Sequence, residues 1–154
     1  MNRIGIDKEN SIKLAKQLND LLANYQVFYM NVRGFHWNVK GNNFFELHLK
    51  FEELYNDLLI KVDEIAERVL TLGKEPLHTF TNYLQVSEIT EAKGVSNGKD
   101  GVASLLNAFE VLLVKQREIL SISDESDDEG TNALMSDYIR EQEKLVWMYN
   151  AYLS

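Results

Sequence analysis

The chain has 154 residues, a formal net charge of −8, a single proline and no cysteine. That length suits one domain with a full core, spanning residues 1–154, and the scarcity of turn formers favours helices. The lack of cysteine excludes disulfides, thiolate zinc sites, iron–sulfur clusters and cysteine nucleophiles, while the acidic balance disfavours attraction to phosphate and gathers cations instead.

The first helix is expected over residues 9–37. Its apolar seam is Leu14, Leu18, Leu21, Tyr25, Phe28, Val32 and Phe35. The alternating steps of four and three mark a helix packed on one side. Gly41 breaks the pattern, and Asn43 with Glu46 three positions later reads as a capping box for a second helix over 44–72. Leu47, Phe51, Leu54, Leu58, Ile65, Val69 and Leu72 form that helix's seam. Residues 74–97 hold Pro76, Gly94 and a short apolar set around Tyr83 that suits a small helix, with His78 read as a surface histidine. A connection of that length is too long for a tight hairpin and suits a crossover along a bundle. Helices over 100–121 and 131–153 follow, separated by the acidic run SDESDDEG at 123–130. The expected architecture is all-α: a four-helix bundle with one long crossover carrying a short extra helix.

Chemistry concentrates in the first half. His36 closes the first helix and His48 opens the second, so a short turn brings them together. His48 and Glu52, like Asp63 and Glu67, are spaced four apart and neighbour each other on the helix surface. At about 100° per residue these four point to roughly 0°, 40°, 60° and 100°, a single stripe. At 1.5 Å per residue, however, His48 and Asp63 lie roughly 22 Å apart, too far for one metal centre. Two half-sites at opposite ends of one stripe are completed by pairing the helix antiparallel with a second copy. Phe45, Leu59 and Ala66 on the same side fit a second contact surface better than a solvated face. Imidazoles plus carboxylates suit iron, and also manganese or zinc, which would compete for the same donors.

The stretch Phe35-His36-Trp37-Asn38-Val39-Lys40-Gly41, then Leu47-His48, Phe51-Glu52 and Asp63-Glu64-Ile65-Ala66-Glu67-Arg68, closely resembles the Dps family of mini-ferritins, and the tail from Trp147 to Leu153 resembles the end of that family's last helix. The resemblance implies a ferritin-like fold, a hollow dodecameric shell built from two-fold dimers, and ferroxidase centres shared between subunits. Carried over by position, His36, His48 and Glu52 come from one chain and Asp63 and Glu67 from its partner. The family often has aspartate where Glu52 stands. The implied reaction is oxidation of Fe(II) to Fe(III), usually with hydrogen peroxide, followed by storage of ferric mineral and protection against oxidative stress. Trp37 becomes a candidate electron donor beside the site. Acids near the last turn, among them Asp124, Asp127 and Asp128, become candidates for lining the pores that admit ferrous ions, with Asp128 matching best by its position three residues before Thr131.

The alternative is a nucleoid-protecting DNA-binding protein with iron oxidation secondary. The N-terminal segment offers only Arg3 and Lys8 against Asp7 and Glu9, and the chain stops at Ser154 without a basic extension, so direct DNA binding is not expected. A bundle with a decayed metal site conflicts with the complete donor set. An oxygenase with its di-iron site inside one bundle conflicts with the lack of any Glu-x-x-His motif in the four long helices; the one such spacing, Glu75-Pro76-Leu77-His78, falls in the crossover. The polar N-terminus lacks a signal peptide's apolar core, and no apolar run spans a bilayer, so a cytoplasmic location without a membrane partner is expected.

Overall fold

The computed structural model describes the whole chain, Met1 to Ser154. Its helices are α1 (Lys8–Asn38), α2 (Phe44–Thr71), the short α3 (Phe80–Val86), α4 (Gly98–Glu125) and α5 (Glu129–Leu153), with no strands. Only an isolated bridge between Lys40 and Asn97 breaks the all-helical pattern.

Local chemistry sets most helix ends. The Asp7 carboxylate caps α1 by accepting from the Glu9 and Asn10 amides. Asn97 caps α4 through the Asp100 amide, and Thr79 caps α3 through the Asn82 amide. At the end of α2, Gly73 takes φ +81°, and the Gly73 and Lys74 amides return to the Leu70 and Val69 carbonyls in a Schellman motif. The expected capping box at α2 does not form. Asn43 is the cap residue but its side chain makes no capping bond; its amide instead donates to the Tyr152 hydroxyl at 3.1 Å, tying the α1–α2 turn to the far end of α5.

Both seams expected for α1 and α2 are buried residue for residue. The α1 seam meets α4 through Phe28 against Phe109 at 5.2 Å between ring centroids, and the two seams meet each other through Phe35 against Phe51 at 5.8 Å. Cross-helix pairs give the directions. Lys61 meets Glu141 while Arg68 meets Asp128, so α2 and α5 are antiparallel. Tyr25 meets Gln116 while Phe28 meets Phe109, so α1 and α4 are antiparallel too. The α1–α2 and α4–α5 hairpins therefore lie side by side with α2 and α4 parallel, the arrangement that demands a long crossover.

Residues 74–97 have one residue buried in the core, Ile89, so other groups must help to hold the segment in place. Three asparagines on α1 do it with side-chain amides that imitate backbone. Asn19 donates to the Glu75 carbonyl at 3.0 Å and accepts from the Leu77 amide at 2.9 Å. Asn24, fully buried, accepts from the Glu88 and Ile89 amides at 3.0 and 3.1 Å. Asn31 donates to the Thr90 carbonyl and accepts from the Ala92 amide, both at 2.9 Å. Lys115 adds a strap, joining α4 to Asp20 and Glu88 at 2.7 and 2.8 Å; burial opposes its charge, but those two bonds outweigh burial and hold its pKa above the ordinary lysine value.

The core also contains a closed polar ring. The Tyr25 hydroxyl donates to Gln116 Oε1 at 2.7 Å, Gln116 Nε2 donates to Gln142 Oε1 at 2.8 Å, and Gln142 Nε2 donates back to the Tyr25 hydroxyl. It links α1, α4 and α5 and leaves no member unsatisfied, the condition under which a buried network is tolerated.

Candidate metal centre

The turn from Val39 to Asn43 folds the end of α1 onto the start of α2, and it is itself pinned by the Lys40 amide donating to the Ser96 carbonyl at 2.9 Å. Gly41 at φ +105° lets it close. This brings His36 and His48 face to face, with ring centroids 3.8 Å apart and planes within 12°. His36 Nδ1 lies 2.6 Å from the His48 carbonyl, and His48 Nδ1 lies 2.8 Å from the His36 carbonyl. A carbonyl only accepts, so each Nδ1 carries the proton. In the neutral imidazole this leaves the lone pair on Nε2, the form a metal ligand requires, with the ring oriented by the other nitrogen. Phe44 stacks on His48 at 5.0 Å, and Tyr55 meets His36 edge-on at 5.4 Å.

Glu52 lies one turn beyond His48 and is half-buried. Asp63 and Glu67 are exposed farther along α2. No group of three or more histidine, aspartate or glutamate side chains converges within the chain. The structure thus unites His36 with His48 and keeps Asp63 and Glu67 apart from them. Along the stripe that carries these acids, Phe45 is 81% exposed, Leu59 50% and Ile60 61%, with Leu49 also exposed. Such a run of large apolar side chains on one face is characteristic of a contact surface.

Trp37 stands beside His36 but turns outward, with the guanidinium of Arg33 over its ring at 4.9 Å. His78 is exposed in the crossover, as the sequence indicates. The acidic run divides. Asp124 and Glu125 belong to the last turn of α4, where no basic residue accompanies them and the helix dipole disfavours negative charge. Asp127 is exposed at φ +54°. Asp128 is different: it is 1% exposed and caps α5, accepting from the Thr131 amide at 3.0 Å and pairing with Arg68 Nη2 at 2.5 Å. Its carboxylate is consumed inside the fold, so among the three aspartates expected near a pore only Asp124 and Asp127 present free acids.

Sequence reasoning passed over Arg33, Tyr29 and Tyr55 around the histidines and Lys61 on α2. Lys61 is 3% exposed and bridges Asp57 and Glu141 at 2.7 and 2.8 Å. Burial works against its charge, yet the two carboxylates prevail and hold its pKa above the ordinary lysine value. The signal available was a lysine among apolar positions with an acid, Asp57, four residues before it.

Comparison with known proteins identifies the family of this fold. The Ferritin-like domain family matches residues 15–154. A "DNA protection during starvation protein" of Porphyromonas gingivalis is 40% identical over 148 residues, covering 96% of this chain and 93% of that protein. The Dps protein from Vibrio cholerae O1, described as a member of a broad superfamily of ferritin-like diiron-carboxylate proteins, superposes with a TM-score of 0.99 at 57% identity, covering 100% of this chain and 97% of that one. A variant of Listeria innocua Dps with two histidines replaced by glycine is a further structural neighbour, with a TM-score of 0.88 at 27% identity over 91% of this chain and 93% of that one. With a matched family spanning nearly its whole length and relatives named Dps on both sequence and structure, the chain belongs to the Dps proteins of the ferritin-like, diiron-carboxylate family.

Proposed function

We propose that this protein oxidises Fe(II) to Fe(III) with hydrogen peroxide at sites shared between two copies, and stores the ferric product in a hollow shell of twelve chains in the cytoplasm. Iron is the substrate here. His36, His48 and Glu52 of one copy hold it together with Asp63 and Glu67 of the other. The observation that carries this reading is the reciprocal bonding of the two imidazoles, which frees both Nε2 atoms while their carboxylate complement lies out of reach within the chain.

Two ferrous ions deliver two electrons together, so that 2 Fe(II) + H₂O₂ + 2 H⁺ gives 2 Fe(III) + 2 H₂O without a one-electron step that releases hydroxyl radical. The protein contributes ligand geometry and an open approach for the oxidant. Zinc and manganese, suited to the same donors, compete for the site. Trp37 is the candidate electron donor that the family resemblance supplies. Asp124 and Asp127 are the acids left to attract incoming ferrous ions at a pore. The charge of −8 per chain favours cation gathering over DNA binding.

The test is stopped-flow Fe(II) oxidation with peroxide and then with oxygen, comparing the protein with its His36→Ala/His48→Ala variant. Rapid oxidation is expected with peroxide and lost in the variant, while size-exclusion chromatography finds the assembly intact. Equal rates in both proteins overturn the assignment.

A further inference from the structure

Around His36 lies an aromatic cluster that no ligand role explains. Tyr55 meets the imidazole edge-on at 5.4 Å and meets Tyr29 in turn at 6.0 Å. No comparable ring contact joins Trp37 to either histidine. Arg33 sits among three of these rings, its guanidinium carbon 4.9 Å from the Trp37 centroid, 5.3 Å from Tyr55 and 5.5 Å from Tyr29. Its Nη1 donates to the Tyr29 hydroxyl at 3.2 Å. Its Nε is the one buried side-chain polar atom in the chain without a hydrogen-bond partner, and Arg33 takes part in no ion pair. A full positive charge is therefore held on ring faces next to the histidines.

We propose that Tyr55, not Trp37, supplies the second electron when peroxide meets a site holding a single ferrous ion, and that Arg33 sets this choice. The proposal rests on the ferroxidase reading above and goes beyond it. A guanidinium is drawn to an aromatic face because the face is electron-rich. Removing an electron from an indole leaves a radical cation, and attraction becomes repulsion between two positive charges in close contact. A phenol, protonated at neutral pH, sheds its proton with the electron and leaves a neutral radical that the guanidinium does not oppose. Contact with His36 gives Tyr55 the shorter route to a bound ion. The step balances as Fe(II) + Tyr–OH + H₂O₂ + H⁺ → Fe(III) + Tyr–O• + 2 H₂O. The ferrous ion and the tyrosine are each oxidised by one electron, the O–O bond breaks, and the phenolic proton goes to product water. Peroxide is again reduced to water without releasing hydroxyl radical.

The experiment is rapid-freeze electron paramagnetic resonance on the assembled protein, loaded with one Fe(II) per expected site and mixed with peroxide. A tyrosyl spectrum is expected, with its hyperfine pattern altered by ring-deuterated tyrosine. It should disappear in Tyr55→Phe, which keeps the ring and the packing, and persist in Trp37→Phe. Arg33→Gln, which removes the charge, should move the radical onto Trp37. Circular dichroism and size-exclusion chromatography establish that each variant folds and assembles. A tryptophanyl radical in the unmodified protein, a tyrosyl signal surviving Tyr55→Phe, or the absence of any protein radical overturns the proposal. A radical confined to Tyr55 in Arg33→Gln overturns the part assigned to Arg33. Stopped-flow oxidation of the unmodified protein at two Fe(II) per site separates the two levels. Failure there removes the ferroxidase reading and this proposal together, whereas rapid oxidation with the wrong radical removes this proposal alone.

Discussion

Replacing Tyr25 by phenylalanine removes one oxygen atom from the middle of the bundle and opens the ring it forms with Gln116 and Gln142. Tyr25 and Gln116 are fully buried and Gln142 is 1% exposed, so no water replaces the lost partner. Gln116 Oε1 loses its donor and Gln142 Nε2 loses its acceptor, while the amide–amide bond between the two glutamines survives. Each of the two orphaned polar groups costs about 1–3 kcal/mol, so the substitution should destabilise by about 2–6 kcal/mol, well above the net worth of a single hydrogen bond. In thermal unfolding that corresponds to a fall of about 10 °C. Denaturant unfolding followed by circular dichroism measures it, at one protomer concentration for all variants because assembly links stability to concentration. Adding Gln116→Met and Gln142→Met to Tyr25→Phe removes every orphan at nearly constant volume, and should bring the protein back to within about 1.5 kcal/mol of the original. A loss under about 0.5 kcal/mol for Tyr25→Phe, or a triple variant less stable than the single one, would refute the reasoning that unsatisfied groups set the cost.

Asp128→Ala should cost about 3 kcal/mol, since it removes a helix cap and strands an Arg68 side chain that is only 19% exposed. Asp128→Asn keeps the capping oxygen and loses the charge, so its denaturation midpoint should fall between the two; equal loss in both variants would mean that the cap contributes nothing. Alkaline unfolding should begin near the ordinary tyrosine range. Burial pushes the Tyr25 and Tyr138 phenols well above their usual value, aided at Tyr138 by the charge of Glu64, and pushes Tyr149 up to about 12. Lys61 is also raised, because Asp57 and Glu141 outweigh its burial. The folded protein then keeps protons that the unfolded chain releases, so these contributions are complete below about pH 10 and are lost as pH rises above it. Phenolate absorbance recorded beside circular dichroism tests this: the buried tyrosines should ionise only as the helices melt, and ionisation of every tyrosine in the folded protein at its ordinary pH would contradict it.

The helical plan and half of the candidate metal centre were legible in the sequence because both rest on short-range spacing. The seam from Leu47 to Leu72 follows helical periodicity, and the structure buries all of it. His36 and His48 are separated by one short turn, so their convergence needed no distant information. The separation of His48 from Asp63 followed from helical rise alone. The boundary of α4 ran past its expected end, because apolar periodicity fades before a helix does and Asp124 and Glu125 carry no apolar signal.

What the tertiary structure decided was the use of polar residues whose partners lie far along the chain. Asp128 stands in an acidic run and reads as one more exposed carboxylate until Arg68, 60 positions earlier, is folded against it. Asn24 and Asn31 resemble ordinary polar positions on α1, yet they hold residues some 60 positions away. Gln116, Gln142 and Lys61 interrupt apolar seams and become intelligible only with their partners beside them. Apolar burial is nondirectional and repeats with the helix, so it shows in one dimension. A hydrogen bond or ion pair requires a particular partner at about 3 Å, and only the packed fold supplies that partner.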